Sequence, residues 1–486
     1  MKSPFWKADW FAVLVLLAVF LPFSASGPIL GLERKAYDLG VLAVRHPASD
    51  KVAVIAIDDR SIAHLGCWPW SRGIDADLID LLSKAGAKTI AYAGLLGEPQ
   101  NEPGLERIRR LIRFVDSSSL KSAASGPVRD DTAKLDQLLA DAERNLDADR
   151  RLAESLGRAG NVLLGFPVNL GAAQGKPDRG LPAYLQNSEL RIAQGSPPSA
   201  SAAYFPIPEL GSRAAAVGFL AAAPDADGTV RAVPLAVRYS GHFLPALSLL
   251  LAASSLNLKP ADIRFRAGVG VSLGRLKIRT GDRWLLHPYA YQGGNGGFVV
   301  DSFYDVLSGT VSAAKYRGKI VLVGATAAGG GTATAAGTPP VLSLARDVSS
   351  LLQRDFLVVP PWAAWAEKGA LLVVALYLLL LLPRLGAGVG TAFTASMLAA
   401  LIGGYFVLML TQGIWLQLLA PALLLLAGHA LLTAKRFLRA KKGNRPSAAD
   451  SVESNRMLGL AFQGQGQLDK GFDTLRQCPL DGAMLE

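Results

Sequence analysis

The chain has 486 residues, enough for two or three domains of ordinary size. Half of the residues are hydrophobic and only 18% are charged, with a mean hydropathy of +0.28, which excludes an ordinary soluble protein. The net charge is +11, but two cysteines far apart (Cys67 and Cys478) and five scattered histidines exclude a cysteine-rich or multi-histidine metal site, so neither metal nor cofactor is expected.

In chain order, residues 1–9 carry Lys2 and Lys7 and lead into "WFAVLVLLAVFLPFSASGPIL", residues 10–30. A spanning helix needs roughly 20 mostly apolar residues, and this run is just long enough. "SASG" after the apolar core also fits a cleaved signal peptide. The retained helix is the reading adopted, because Trp6 and Trp10 suit an interfacial belt and the far end of the chain needs an inside amino terminus for parity.

Residues 31–361 read as an α/β domain. "KVAVIAIDD" is an apolar run ending in acids, like a buried parallel strand. "DADLIDLLSKAGA" has helical spacing, "KTIAYAGLL" is a second strand, "DADRRLAESLGRAG" a helix and "NVLLGFPVN" a third strand. This alternation argues for a mixed, partly parallel sheet with helices on its faces. The charged stretch from "LERIRRLIRF" to "LLADAERN" is a helical insertion, with "SSSLKSAASGPV" as a loop. Further on, "AAAVGFLAAAPDADGTVRAVPLAVRYSG" reads as two strands hinged at "PDADG". "IRFRAGVGVSLGRLKIRTGDRWLLHPYA" alternates like antiparallel strands, and "YRGKIVLVGAT" is a last buried strand. One sheet is expected to hold them all.

Three apolar runs follow, at residues 366–384, 387–410 and 414–433, joined by "PRLG" and "TQG". Connections so short make the helices antiparallel neighbours, and Pro421 and Gly428 are tolerated inside them. Residues 434–452 form a basic juxtamembrane linker holding Lys435, Arg436, Arg439, Lys441, Lys442 and Arg445. With Arg384 in one turn and no charge in the other, the positive-inside rule puts both termini in the cytoplasm and residues 31–361 outside. An intrachain disulfide is then impossible. The expectation is a multi-pass protein of the inner (cytoplasmic) membrane with four crossings. The basic run sets topology and also reaches anionic lipid, at about 1 kcal/mol per residue near the surface.

"VAVIAIDDRSIAHLGCWPWSR", "RAGNVLLGFPV", "VGFLAAAPDADGTVRAVPL" and "YRGKIVLVGAT", in this order and between one leading span and three packed spans, resemble the type-2 CHASE domain, a sensory extracellular domain of bacterial receptors. The resemblance runs from about Leu32 to the last helix. It implies a sensor whose cytoplasmic side is coupled to a nucleotide cyclase, a histidine kinase or a serine/threonine kinase. The chain departs from the family where a phenylalanine–aspartate pair usually ends a strand, with Tyr92 and Ala93 there. It departs again at "VLSLARD", where Leu344 and Arg346 replace polar residues. No family role is carried over to those positions.

Candidate ligand-binding residues are Asp58, Asp59, Trp68, Trp70, Arg72, Asp225, Asp227 and Arg231. Asp58 and Asp59 end a buried strand, where α/β sheets present ligand-facing groups. Neighbours on a strand face opposite sides, so one faces the cleft while the other caps the helix at "SIAHL". Trp68-Pro69-Trp70 with Arg72 reads either as a clamp between strand and helix, with Arg72 paired to Asp58 or Asp59, or as the wall of a cleft for an apolar or anionic ligand. "PDADGTVR" lacks the distal glutamate of a calcium loop and is read as a tight turn, with Arg231 pairing to Asp225 or Asp227. "VGATAAGGGTATAAGTPP" lacks the ending of a phosphate loop and is read as a flexible loop. No nucleophile elbow is present.

Residues 453–486 resemble a single, incomplete tetratricopeptide repeat, with Leu458-Gly459, Phe462, Gly466 and Pro479 near its pattern and Gly471 replacing the usual alanine. About three such repeats are needed to bury their apolar faces, so downstream repeats or a partner are expected. No kinase signature, cyclase acids or phospho-acceptor motif is seen, and no catalytic output is expected of this chain. The reading is a transmembrane receptor for an unknown extracytoplasmic ligand that relays to a cytoplasmic effector on a downstream domain or partner protein, with lipid around it, a homodimer admitted and nucleic acid excluded. The alternative is a membrane-anchored scaffold without a small-molecule ligand.

Overall fold

The computed structural model describes residues 8–24, 26–44, 46–100, 102–118, 127–172, 180–221, 225–291, 294–327, 338–443 and 448–476. The glycine-rich stretch at 328–337, Lys2, Lys7, Arg445 and Pro479 lie outside them, as do residues 119–126 of the "SSSLKSAASGPV" stretch, whose last two residues open a helix. The chain divides into two units, one of residues 31–366 with 405–417 and one of residues 1–30, 367–404 and 418–486.

The larger unit is built on a seven-stranded sheet. Five strands run parallel in the order Val299–Ser302, Val52–Ile57, Ile320–Ala325, Thr89–Tyr92 and Val162–Leu170. Ala216–Leu220 continues the parallel set on Val162–Leu170, and Ala200–Ala203 pairs antiparallel near the end of that strand. Val52–Ile57 reads VAVIAI and is buried at every position, because both faces of a parallel sheet are covered. One helix pair, Arg72–Lys84 and Ala148–Ala159, packs together, as does a second, Leu247–Ser255 and Pro340–Gln353. The Leu247–Ser255 helix lies directly on the sheet at Gly218, where a Cβ would stand 2.8 Å from the Cα of Leu247. Only glycine lets backbone approach backbone that closely.

Two expectations fail here. Ala216–Leu220 and Val233–Pro234 are not a hairpin: the first joins the parallel sheet, and the second pairs with Leu285–Pro288. The valine- and phenylalanine-rich AVGFL is worth more as a buried parallel strand than as one arm of a marginal ribbon. Nor does one sheet hold every strand. Ile263–Arg266, Gly270–Leu273 and Leu276–Ile278 make a separate antiparallel sheet, and the described residues also form one further sheet of three strands and one of two. The insertion is helical as expected, with Pro103–Ser117 and Pro127–Leu146 tied by Arg109 to Glu143 at 3.0 Å and to Asp147 at 2.9 Å.

Among the described residues three helices, most of whose length lies in the second unit, are long and apolar enough to cross a membrane: Ala363–Arg384, Ala387–Gln412 and Leu419–Lys441. A fourth crossing would need the bent pair Asp9–Ser24 and Gly27–Ala43 to act as one span. The expected single helix over residues 10–30 is therefore broken, where Ser26, Gly27 and Pro28 interrupt the apolar run and Pro28 restarts a helix in its first turn. The last span begins at Leu419 instead of Ile414, so that Pro421 sits in its first turn, and it continues through the basic run to Gly443. Val13, Phe20, Val374, Leu378, Leu424 and Leu425 form this unit's core. At Gly428 an added Cβ would lie 2.3 Å from Leu378, the close crossing that small residues permit in lipid. The Tyr377 hydroxyl meets Thr394 at 2.8 Å, and Thr394 meets His429 Nδ1 at 2.9 Å. Of the basic residues, Lys435 and Arg439 pair with Asp9 at 3.2 and 3.0 Å, and Arg436 donates to the carbonyls of Leu382 and Leu385. Lys441 is exposed, and the Lys442 side chain lies outside the described residues. Ala448–Gly464 and Leu468–Leu475 pack as a helical hairpin.

Candidate ligand cleft

Asp58 leaves the strand Val52–Ile57 and caps the helix Asp59–Leu65. It accepts from Ser61 N at 2.8 Å, from the Ser61 hydroxyl at 2.5 Å and from Ser302 at 2.8 Å. Burial opposes its charge, but these hydrogen bonds outweigh burial and hold its carboxyl below the usual carboxylate range. Asp59 is exposed in the first turn of the same helix. The cap expected of one aspartate is present, but Asp59 belongs to the helix rather than the strand, and neither carboxylate lines either of the cavities described below.

After that helix the chain crosses to the next through Trp68, Pro69 and Trp70, with a cis bond at Trp68–Pro69. The two indoles meet edge to face, with centroids 4.8 Å apart and planes at 82°. Ser71 caps the helix Arg72–Lys84, so Arg72 stands in its first turn. Arg72 pairs neither with Asp58 nor with Asp59. Its guanidinium holds Asp149, in the first turn of Ala148–Ala159, and donates to the Glu98 carbonyl at 2.6 Å. Gln100 completes the knot, accepting from Arg72 N at 2.7 Å and donating to Trp70 O and Asp149 at 2.9 Å each. The correction has a simple cause. A helix start carries its side chains toward the neighbouring helix, and the negative partner that fits a buried guanidinium there is 77 residues away.

One turn further, Asp75 is 3% exposed. It accepts from Trp70 Nε1 at 3.3 Å and from the Tyr92 hydroxyl. Burial pushes its carboxyl up to about 7, against the pull of those hydrogen bonds and of Arg72. Burial, and then the Asp75 charge, push the Tyr92 phenol well above its ordinary value. These groups face a cavity of about 800 Å³ walled by Trp68, Trp70, Tyr92, Leu95, Pro167 and Tyr204. It opens beside the carboxyl end of Thr89–Tyr92, the edge of a parallel sheet at which ligands bind. A second cavity of about 420 Å³ shares Leu95 and Pro167 with it and reaches Leu344 and Asp347 of the helix Pro340–Gln353. Burial pushes the Asp347 carboxyl up to about 6, against the attraction and hydrogen bond of Arg346.

Asp225, Asp227 and Arg231 are not part of the cleft. Arg231, with its side chain 5% exposed, is ringed by Asp38 at 2.7 Å and by Asp225 and Asp227 at 2.8 Å each. Hydrogen bonding to Arg231 holds the Asp227 carboxyl below the usual range. The expected pairing across the turn is present, and Asp38, 193 residues earlier, closes it. Sequence reasoning passed over Asp75, Tyr92, Gln100 and Asp149 as site residues. Asp75 carried a readable signal: it falls on the buried stripe Arg72, Asp75, Ala76, Ile79, Leu82, a carboxyl at an apolar position. Among the described residues no cluster of His, Cys, Asp or Glu suits a metal ion.

The family model described as CHASE2 domain matches residues 12–382 of the chain. No curated protein matches, and no solved structure matches.

Proposed function

The chain belongs to the CHASE2 domain family, and from that premise we propose that it is a bacterial transmembrane receptor whose outer α/β unit senses a small molecule in the cleft beside Trp68 and Trp70. The observation that carries this reading is the cavity of about 800 Å³ at the carboxyl edge of the parallel sheet, large enough for a metabolite and walled by four aromatic rings together with Arg72, Asp75, Glu98 and Gln100. The proposed setting is the inner membrane, crossed four times, with both termini in the cytoplasm and residues 31–361 outside. The charge distribution supports it: Lys435 and Arg439 gather at the end of the last span, beside Asp9 at the start of the first helix. The packed spans would relay occupancy of the cleft to a cytoplasmic effector, since this chain is proposed to have no catalytic output of its own. Relay requires two states that the ligand binds unequally. The hairpin Ala448–Gly464 and Leu468–Leu475, with Met457, Leu460, Leu468 and Phe472 exposed, is proposed as a tetratricopeptide-like docking element for that effector.

Two experiments test this. An impermeant thiol reagent on intact cells should label Cys67, which is exposed; a shielded Cys67 refutes the topology. A thermal-shift screen of the full chain in nanodiscs against periplasmic extracts should yield stabilising small molecules. Their effect should vanish in Leu95→Trp, which fills the cleft from an exposed position. Stabilisation that persists in Leu95→Trp removes the cleft from the reading, and the absence of any small-molecule hit favours the membrane-anchored scaffold.

A further inference from the structure

We infer that the cleft selects an organic cation, a ligand bearing a quaternary or alkylated ammonium group, which seats against the aromatic walls above Asp75; this rests on the cleft being the sensing site. Arg72, the residue that would recruit an anion, is already spent. Its guanidinium holds the Asp149 carboxylate and the Glu98 carbonyl, and Gln100 fastens Asp149 and the Arg72 backbone into the same knot. An anion in the cleft would therefore meet a neutralised arginine and the exposed Glu98 side chain. What the cleft offers is the reverse. Trp68, Trp70, Tyr92 and Tyr204 contribute four aromatic rings, and the first two stand almost at right angles, as adjacent sides of a box. A ring face attracts a cation through its quadrupole, most strongly where water is excluded. Asp75 supplies a carboxyl that is nearly buried and bonded only to neutral donors, Trp70 Nε1 and the Tyr92 hydroxyl.

Ionisation of that carboxyl is unfavourable in the empty cleft because its surroundings are apolar. A bound cation would favour it, so binding and loss of the Asp75 proton are coupled. The groups around Asp75 that bear on this coupling are Arg72 on its own helix and Tyr92 on the strand, with Glu98 on the following loop and Asp149 across the knot. Asp149 holds the Arg72 guanidinium, whose attraction is the last of the influences on Asp75, which leaves Asp75 as the acid that a bound cation would match.

The test is a titration of the full chain in nanodiscs with choline, with its neutral isostere 3,3-dimethylbutan-1-ol and with 3,3-dimethylbutanoate, by isothermal calorimetry. Choline should bind about tenfold more tightly than the alcohol above about pH 8, and this preference should shrink below about pH 6. Asp75→Asn should remove the pH dependence. Tyr204→Leu alters a residue 55% exposed and so leaves folding intact; it should lower the choline preference by about threefold. Equal binding of choline and the alcohol, or binding of neither, overturns the inference. Preference for 3,3-dimethylbutanoate also overturns it while leaving the cleft a sensing site. Failure of the sensing reading shows separately, as small-molecule stabilisation that survives Leu95→Trp.

Discussion

Asp75→Asn gives the sharpest test of the physical account of the cleft. Burial pushes the carboxyl from its usual value of 3.8 up to about 7 in the folded protein. Between those pH values the folded state keeps a proton that the unfolded chain has lost, so stability falls as pH rises through that window. The loss is about 1.4 kcal/mol per pH unit, on the order of 4 kcal/mol in all, complete above about pH 7 and absent below about pH 4. Asparagine keeps the shape and an acceptor for Trp70 and Tyr92 but does not titrate. Urea unfolding of the full chain in nanodiscs, followed by tryptophan fluorescence from pH 4 to 8, should show the variant gaining on the wild type steadily as pH rises. Curves that run parallel across that range would refute the claim that Asp75 is a desolvated carboxyl bonded only to neutral donors.

Arg72→Ala leaves the half-buried Asp149 with the Gln100 N–H as its remaining partner in the knot and should cost about 3 kcal/mol in the same assay, with Asp149→Ala in the same chain recovering part of the loss. Arg231→Ala strands Asp38, Asp225 and Asp227 beside one another. It should destabilise the larger unit by about 1–2 kcal/mol in the same assay, because the three carboxylates are each about 40% exposed and Arg34 remains 3.8 Å from Asp225. Gly428→Val drives a side chain into Leu378. It should lower the thermal stability of the spanning helices, and Leu378→Ala should restore it; no change in Gly428→Val would mean that the helices do not cross closely there.

How much of this was legible in the residues follows from the range of each interaction. "VAVIAI", "NVLLGFPV" and "KIVLVGA" announce buried parallel strands because burial on both faces demands unbroken apolar runs, and each run carries that signal by itself. The three apolar helices after Ala363 are equally local, since length and hydropathy decide whether a helix suits lipid. The Asp58 cap was legible too, because a cap bonds within its own next turn. The order of the strands was not. Ile320–Ala325 enters between Val52–Ile57 and Thr89–Tyr92, and nothing in its sequence names its neighbours. The AVGFL segment looked like half of a hairpin because a turn follows it, and it became a parallel strand because Val162–Leu170 offered it a longer buried edge.

Charge shows the same division most clearly. The residues alone paired Arg231 with Asp225 or Asp227, offered Arg72 a pairing with Asp58 or Asp59, and set aromatic rings beside Arg72. Only the tertiary structure decided that Arg72 belongs to Asp149, that Arg231 also belongs to Asp38, and that Asp75, bonded to Trp70 and Tyr92, is the nearly buried acid in the lining of the cleft. A hydrophobic pattern is a property of consecutive residues. The partner of a buried charge is whichever opposite charge the fold brings within 3 Å, and chain separation has no bearing on that distance.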